Sequence, residues 1–441
     1  MKTSGHTVGN VERALVVCVE SDEAVEPYSM NELISLATMA GAEVVGALHQ
    51  HRSQSVSAFY VGRGKAEEIF MVVKELGVDL VIVDCELSPT QQRNLQDITE
   101  CRVIDRTQLI LDIFAQRAHT REGKLQVELA RNTYLLPRIS NLYTRFERQQ
   151  GGIGIRGGFG ETKLETDRRK LRDRIAELGE ELAEVRSQRR QQRALRRKLP
   201  FPTAALVGYT SSGKSTLLNV LSGSDVYADP KLFATLDPTT RRVALPDGWA
   251  LLLTDTVGFI RNLPLDLVAA FRATLEEVVE ADILVHVVDV SHPMRELQCQ
   301  VVIQILDELG AGGKPIITVY NKSDQVEDAS SLRELVADTP NSVYLSALKA
   351  EGISYLMDRV TKTLKSLLVP VLIKIPYHRS DLVAQCYEYG RVIRAEYQDE
   401  AIIVEAQVTH EFAGWCSQYR IDLAKRGSAP RKRVNRTGSE T

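Results

Sequence analysis

The sequence predicts an α/β chain of several domains, centred on a doubly wound, mostly parallel sheet. Three observations carry that expectation. Short apolar runs alternate with amphipathic stretches over residues 12–118 and again over 200–369. A glycine-rich octapeptide, Gly208-Tyr209-Thr210-Ser211-Ser212-Gly213-Lys214-Ser215, stands between a strand-like run and a helix-like run. Between the two α/β regions, residues 119–199 are highly charged, with apolar residues at heptad spacing.

At 441 residues and 44% hydrophobic content, the chain can bury roughly two to four separate cores. Its net charge of −3 singles out neither nucleic acid nor membrane, so local patches must be read individually. Six cysteines (Cys18, Cys85, Cys101, Cys299, Cys386, Cys416) lack CxxC spacing, and several sit in apolar runs. That predicts core thiols in a reducing compartment, not disulfides or a metal centre. His49 and His51 have no Cys or His cluster nearby and read as strand-end surface residues. Met1 to Val11 contains no apolar signal core, and no apolar run approaches the ~20 residues of a membrane span. The expected protein is soluble, cytoplasmic and monomeric, with peripheral membrane association as the alternative location.

In the first α/β region (12–118), Ala14 to Val19, Ala42 to Leu48 and Asp79 to Asp84 read as strands and Met30 to Met39 as a helix. Val61-Gly62-Arg63-Gly64-Lys65 opens a helix from Ala66 to Leu76, and another helix begins near Ser88-Pro89. The Gly-x-Gly-Lys turn is either a tight strand-to-helix connection or a phosphate-backbone contact. In the next region (119–199), residues 121 to 138 look helical. Gly151 to Gly160 holds six glycines in ten residues, too many for a stable helix or a packed core. This loop is expected to order on a partner, with Arg156 contacting phosphate, Phe159 stacking on a base and Lys163 beside them, unless it is a plain hinge. From Leu164 to about Lys198 a long helix is expected, with Leu164, Leu171, Ile175, Leu178, Leu182 and Val185 forming a seam. Its natural partner is the 121–136 helix, in an antiparallel hairpin with the glycine loop at the tip. Arg186 to Lys198 carries seven basic residues and no acid, a solvated face or an RNA-phosphate surface.

The region 200–369 carries the chemistry. Thr203 to Val207 reads as a strand, and the octapeptide after it matches GxxxxGK[ST], a phosphate cradle. Its glycines let backbone N–H groups curl around an anion and the helix N-terminus adds its dipole. Lys214 would reach the β- and γ-phosphates, and Ser215, followed by Thr216, would offer a hydroxyl to Mg²⁺. Leu251 to Asp255 is a strand ending in an acid placed to hold Mg²⁺ through water. After it come Thr256, Val257 and Gly258, whose N–H is placed to touch the γ-phosphate. Between them, Phe233-Ala234-Thr235-Leu236-Asp237-Pro238-Thr239-Thr240 suits a loop that orders with γ-phosphate and Mg²⁺. Thr235 is the expected second Mg²⁺ hydroxyl, with Thr239 and Thr240 as rivals. Asp282 to Asp289 is a further strand.

Ile316 to Tyr320 is a buried strand leading into Asn321-Lys322-Ser323-Asp324. A carboxylate there accepts from the ring N–H and exocyclic amine of guanine, a pair that adenine cannot offer. Ser346-Ala347-Leu348 follows the next strand, where it could brace the guanine ring. Together these motifs predict a GTP hydrolase that binds GTP and GDP. Phe259 stands where a water-orienting Gln often follows Gly258, which predicts slow unassisted turnover or simple packing of Phe259 under the switch loop. Residues 370–424 read as a small α+β unit, and 425–441 as a polar basic tail expected to be disordered.

With those motifs in hand, the chain resembles the HflX family of ribosome-associated GTPases over nearly its whole length. The most specific marks are Gly151 to Arg169, Gly208 to Leu217, Leu232 to Thr239 and Asp255 to Ile260. The resemblance implies Mg²⁺-dependent GTP hydrolysis, binding to the large ribosomal subunit and its rRNA, and splitting of stalled ribosomes under stress. It implies a loop and hairpin inserted near the peptidyl transferase region, a hydrophobic residue at Phe259 as a family trait, and ATP hydrolysis by some members. The chain departs from the family in one place: Gly157-Gly158-Phe159-Gly160 replaces a shorter Gly-Pro-Gly at the loop tip. A signalling switch acting on proteins, and a GTPase assisting RNA remodelling, are the competing functions. The second would need a further catalytic cluster, and the sequence contains none.

Overall fold

A computed structural model describes residues 11–20, 26–51, 58–139, 157–196, 201–223, 233, 235–261, 272–388 and 390–421. The N-terminal sheet contains β1 (Arg13–Glu20), β2 (Glu43–His51), β3 (Leu80–Val83) and β4 (Arg102–Asp105), in the order β2-β1-β3-β4. All its pairings are parallel. Around it lie α1 (Glu26–Met39), α2 (Arg63–Leu76), α3 (Pro89–Thr99) and α4 (Arg106–Arg117). The sequence reading contained neither β4 nor α4. Each has a clear local cause: Val103 and Ile104 are buried in the sheet, and the Asp105 carboxylate caps α4 by accepting from the Gln108 N–H at 2.8 Å. Ser88 caps α3 through a reciprocal box with Gln91, with Pro89 at the first helical position.

Helix α5 (Arg121–Leu135) pairs with the forty-residue α6 (Gly157–Arg196). The two run antiparallel, since Arg121 reaches Glu181 while Glu128, two turns on, meets Arg174 at 2.8 Å. Leu125, Leu178 and Leu182 form the buried seam, flanked by Leu129 and Val185. One expectation is corrected here: Gly157 to Gly160 do not belong to a loop but form the first turn of α6. A helix already propagating through 36 further residues can carry a few glycines at its end, each costing about 1 kcal/mol relative to alanine.

The second sheet has the order β10-β9-β8-β5-β7-β6. Its strands are β5 (Thr203–Val207), β6 (Thr239–Ala244), β7 (Ala250–Asp255), β8 (Ile283–Asp289), β9 (Ile316–Asn321) and β10 (Ser342–Tyr344). Only the edge strand β6 is antiparallel. Helices α7 (Lys214–Ser222), α8 (Arg272–Glu280), α9 (Arg295–Glu308), α10 (Ala329–Asp338) and α11 (Ile353–Ser366) connect the strands. Because the strands are parallel, β5, β7, β8 and β9 end on one edge, where Gly208, Asp255, Asp289 and Asn321 gather. The third sheet is antiparallel, ordered β11-β13-β12, with β11 (Val369–Pro376), β12 (Gly390–Tyr397), β13 (Ala401–Val408), α12 (Asp381–Glu388) and α13 (His410–Trp415). Among the described residues no helix is long and apolar enough to cross a membrane.

Among the described residues, one apolar cluster crosses from the first unit to the second. Phe114 of α4, Ala118 just after it and Val127 of α5 pack with Tyr209, Phe233, Leu236, Val257 and Ile260. The residues on the far side of that junction belong to the phosphate cradle and the loops around it.

Candidate functional site

The cradle begins where β5 ends. Gly208 has φ +153°, and a Cβ there would stand 2.2 Å from the Val287 carbonyl oxygen. Gly213 has φ +97°, and a Cβ there would meet Asn321 Nδ2 at 2.2 Å. Both glycines are therefore obligatory on steric grounds. Helix α7 starts at Lys214, with the Gly213 N-cap lacking a side chain to cap it, so its first N–H groups face the cleft. Lys214 is buried and donates to the carbonyls of Gly208 (3.1 Å) and Tyr209 (2.9 Å). Burial pulls its ammonium down to about 8, and the neighbouring Asp255 carboxylate opposes that pull.

Three oxygens converge beside it. Ser215 Oγ donates to Asp255 Oδ2 at 2.6 Å, Thr235 Oγ1 donates to the same oxygen at 2.7 Å, and the two hydroxyls lie 2.9 Å apart. Asp255 Oδ1 is buried without a protein partner. Burial pushes the Asp255 carboxyl up, while Lys214 and the two hydroxyls oppose the shift. A cluster of hard oxygens with an orphaned carboxylate oxygen fits a small divalent cation such as Mg²⁺. Thr240 instead faces Thr254 across the β6–β7 ladder at 2.9 Å, and Thr239 begins β6. Of the three candidate threonines, Thr235 is the one whose hydroxyl reaches Ser215 and Asp255.

The loops at β9 and β10 are tied to the cradle through Asn321. Its Nδ2 donates to the Ser212 carbonyl at 2.8 Å, and its Oδ1 accepts from the Ala347 N–H at 2.9 Å. Ser346, preceding Ala347, is fully buried, and the Ser323 N–H donates to the Leu345 carbonyl at 3.2 Å. Lys322, at φ +64°, turns to bond Asp289 Oδ2 at 2.5 Å. Asp324 Oδ1 is buried with no protein partner. The resulting cleft of about 230 Å³ is lined by Thr210, Ser211, Gly213, Lys214, Ser215, Thr216, Phe233, Thr235, Thr256, Gly258, Asn321, Lys322, Asp324, Ala347 and Leu348. A Cβ on Gly258 would stand 2.9 Å from Lys214 Nζ, so glycine keeps that corner open.

Not every expected residue points into this cleft. Leu236 and Val257 are buried in the junction with the N-terminal unit, and the Asp237 carboxylate bonds the backbone of His119 and Thr120. Phe259 is 2% exposed and packs neither under the switch loop nor toward the cleft. It lies among Val207, Leu275, Val278, Leu284 and Val302, between the sheet and helices α8 and α9. Its backbone is bound to the cradle, accepting from the Thr210 N–H at 2.8 Å and donating to the Gly208 carbonyl at 3.0 Å. Arg156 and Ala234 lie outside the described residues. So do the side chains of Phe159, Lys163 and the basic run from Arg186 to Lys198, as does the tail 425–441.

A polar network that the sequence reading missed joins the cradle to the N-terminal unit. Arg106, 1% exposed, donates to Asp84 Oδ1 at 2.5 Å and to Glu32 Oε2 at 2.7 Å. The Tyr209 hydroxyl donates to Glu32 Oε1 at 2.7 Å and accepts from the Arg261 N–H at 2.8 Å. Arg261 Nη2 donates to Ser29 Oγ at 2.7 Å, and Ser29 Oγ donates to Asp84 Oδ2 at 2.7 Å, which closes the ring. Burial and the Glu32 carboxylate push the Tyr209 hydroxyl well up, so it stays protonated and donates. The available signal was a tyrosine in the second position of the cradle, where its ring has no role toward phosphate.

Residues 27–115 match the family described as GTP-binding GTPase N-terminal, and 117–196 the GTP-binding GTPase middle region. Residues 203–322 match the 50S ribosome-binding GTPase family, and 331–416 the HflX C-terminal domain. The chain is 47% identical over 401 residues to the GTPase HflX of Caldanaerobacter subterraneus, covering 91% of this chain and 92% of that one. It is 43% identical over 405 residues to the GTPase HflX of Escherichia coli K12, covering 92% and 95%. Among solved structures, a GTP-binding protein from Sulfolobus solfataricus in complex with GDP is 25% identical over 81% of this chain and 100% of that one, with a TM-score of 0.43.

Proposed function

This chain belongs to the HflX family of GTPases, and from that premise we propose that it is a GTP-driven factor of the large ribosomal subunit that dissociates stalled ribosomes in the cytoplasm. It hydrolyses GTP. The observation that carries the proposal is the continuity between the nucleotide cleft and the α5–α6 helical pair. The cleft residues Phe233 and Thr235 sit in the same stretch as Leu236 and Asp237, which dock on the α4–α5 junction. A change at the phosphates thus reaches α5, which precedes the proposed rRNA contact, residues 151–160 and Lys163, with Arg156 and Phe159 among them. The description of the family matched by residues 203–322, which names 50S ribosome binding, supports the same reading. The division of labour proposed is 12–118 and 119–199 for docking, 200–369 for GTP, and 370–424 as an accessory unit.

In the nucleotide site, Asp324 accepts from guanine, and Asn321 holds the base loops and the cradle in register. Lys214 and the N–H groups at the start of α7 bind the phosphates, and Gly213 and Gly258 keep side chains out of their path. Ser215 and Thr235 would hold Mg²⁺ directly, and Asp255 through water. When bound, that ion neutralises phosphate charge. The orphaned oxygens of Asp255 and Asp324 fit these roles. Phe259 is turned into the core, so the side chain directly after Gly258 does not orient water, and in this reading a partner supplies that function. Single-turnover GTP hydrolysis with and without purified large subunits tests the proposal. The expected result is slow turnover alone and strong acceleration by the subunit; an unchanged rate overturns it.

A further inference from the structure

We propose that Asp237 is a positioning residue for GTP hydrolysis, which holds the Thr235 hydroxyl in place by clamping onto the N-terminus of α5. The inference rests on the reading of Thr235 as the hydroxyl that meets Mg²⁺ and the γ-phosphate.

Three hydrogen bonds to its carboxylate support it. Asp237 Oδ2 accepts from the backbone N–H of His119 at 3.1 Å and of Thr120 at 2.9 Å. Its Oδ1 accepts from the Thr120 hydroxyl. That hydroxyl in turn caps α5 by accepting from the Gly123 N–H at 3.0 Å. Gly123 makes room for the clamp, since a Cβ there would lie 2.6 Å from Asp237 Oδ1. The flanking residues anchor in the same place. Phe233 meets Phe114 edge to face at 4.8 Å, and Leu236 is buried in the shared cluster. Between them the Thr235 hydroxyl turns the other way, to Ser215 and Asp255.

The charge sense is favourable. A carboxylate at the positive end of a helix gains from the macrodipole as well as from three donors. Held on one side by this clamp, Thr235 loses little further freedom when nucleotide binds, so triphosphate is preferred over diphosphate and the reacting geometry is populated. By reciprocity, a bound triphosphate that fixes Thr235 also tightens Asp237 on α5, the helix paired with α6. The nucleotide and the helical pair therefore report on each other through one side chain.

The test measures affinity for fluorescent GMPPNP and GDP, with kcat and KM for GTP, in the full-length protein and in Asp237→Ala, Asp237→Asn, Gly123→Ala, the Gly123→Ala/Asp237→Ala double variant and Thr235→Ala. In Asp237→Ala the GMPPNP-to-GDP affinity ratio is expected to fall about tenfold, the scale of a hydrogen bond to a charged group, with kcat falling and GDP affinity unchanged. Asp237→Asn, which still accepts from the backbone, is expected to retain much of the ratio. Gly123→Ala is expected to lower the ratio alone but to add nothing in the Asp237→Ala background, because the methyl then has no carboxylate to displace. An unchanged ratio in both single variants, equal losses for GMPPNP and GDP, or additive effects overturns the inference. Thr235→Ala separates the two levels. If it lowers the ratio while Asp237→Ala does not, only the clamp fails; if Thr235→Ala leaves the ratio intact, the reading of Thr235 fails and the clamp with it.

Discussion

Replacing Arg106 with methionine should loosen the N-terminal sheet, and the structure sets the size of the effect. Arg106 is enclosed, and it is the cation facing two acids, Asp84 at 2.5 Å and Glu32 at 2.7 Å. Methionine keeps most of the stem's volume and removes the charge. Breaking a buried pair by removing one partner costs about 3–5 kcal/mol, because the other charge stays buried. Two features place the value at the low end. Glu32 is 15% exposed and can recover some hydration, and Asp84 keeps the Ser29 hydroxyl at 2.7 Å and the Cys18 thiol at 3.5 Å. The expected cost is therefore about 3 kcal/mol, or roughly a hundredfold in an opening equilibrium. Hydrogen exchange read by mass spectrometry on peptides covering β1 and β3 measures it directly. Protection in Arg106→Met should fall about a hundredfold. The triple variant Arg106→Met, Asp84→Asn, Glu32→Gln, which leaves neither acid charged opposite the missing guanidinium, should recover most of it. Protection within about threefold of the parent in Arg106→Met, or equal losses in the single and triple variants, would refute the reasoning.

Three further outcomes follow from the nucleotide site. Asp324→Asn should weaken GTP binding about a hundredfold by removing two charge-assisted bonds to guanine. It should favour xanthosine triphosphate, whose exocyclic carbonyl accepts from the new amide; competition binding decides, and undiminished GTP affinity would contradict the assignment. Lys214, pulled down to about 8 by burial, titrates below an unfolded lysine near 10.4. The unfolded chain then binds more protons between those values, so the nucleotide-free protein gains stability as pH rises from 8 toward 10.4. Phosphate needs the charged form, so GTP affinity should fall about fivefold from pH 8 to 9, and a flat profile from pH 7 to 9 would count against it. Phe259→Gln should destabilise the protein by about 3 kcal/mol through a buried unsatisfied amide and should not speed GTP hydrolysis; faster turnover in this variant would contradict the buried placement.

What was legible in the sequence was local. The cradle and the 321–324 segment each carry their chemistry within a few consecutive residues, and β5, with its run of buried aliphatics, falls where the apolar pattern puts it. Strand β4 escaped because only Val103 and Ile104 carry its apolar signal, between Arg102 and Asp105. The side of the chain that Leu236 and Asp237 face was not legible either. It depends on Thr120, 117 residues away, and on a missing Cβ at Gly123. Tyr209 and Glu32 are 177 residues apart and meet only because the two units share one junction. Arg106 is a charged residue at a helix start, which in sequence reads as solvated. Its burial follows from two acids supplied by β3's end and by α1. The start of α6 at Gly157 shows the opposite failure, where local glycine content pointed away from a helix that its long continuation carries.

The central claim is that GTP held in this cleft governs engagement of the large ribosomal subunit. Co-sedimentation of the full-length protein with purified large subunits, in GMPPNP and in GDP, tests it most directly. The expected result is strong binding in GMPPNP, weak binding in GDP, and loss of the GMPPNP-bound fraction when residues 151–160 are deleted. Binding that is equal in the two nucleotides, or undiminished by the deletion, would contradict it.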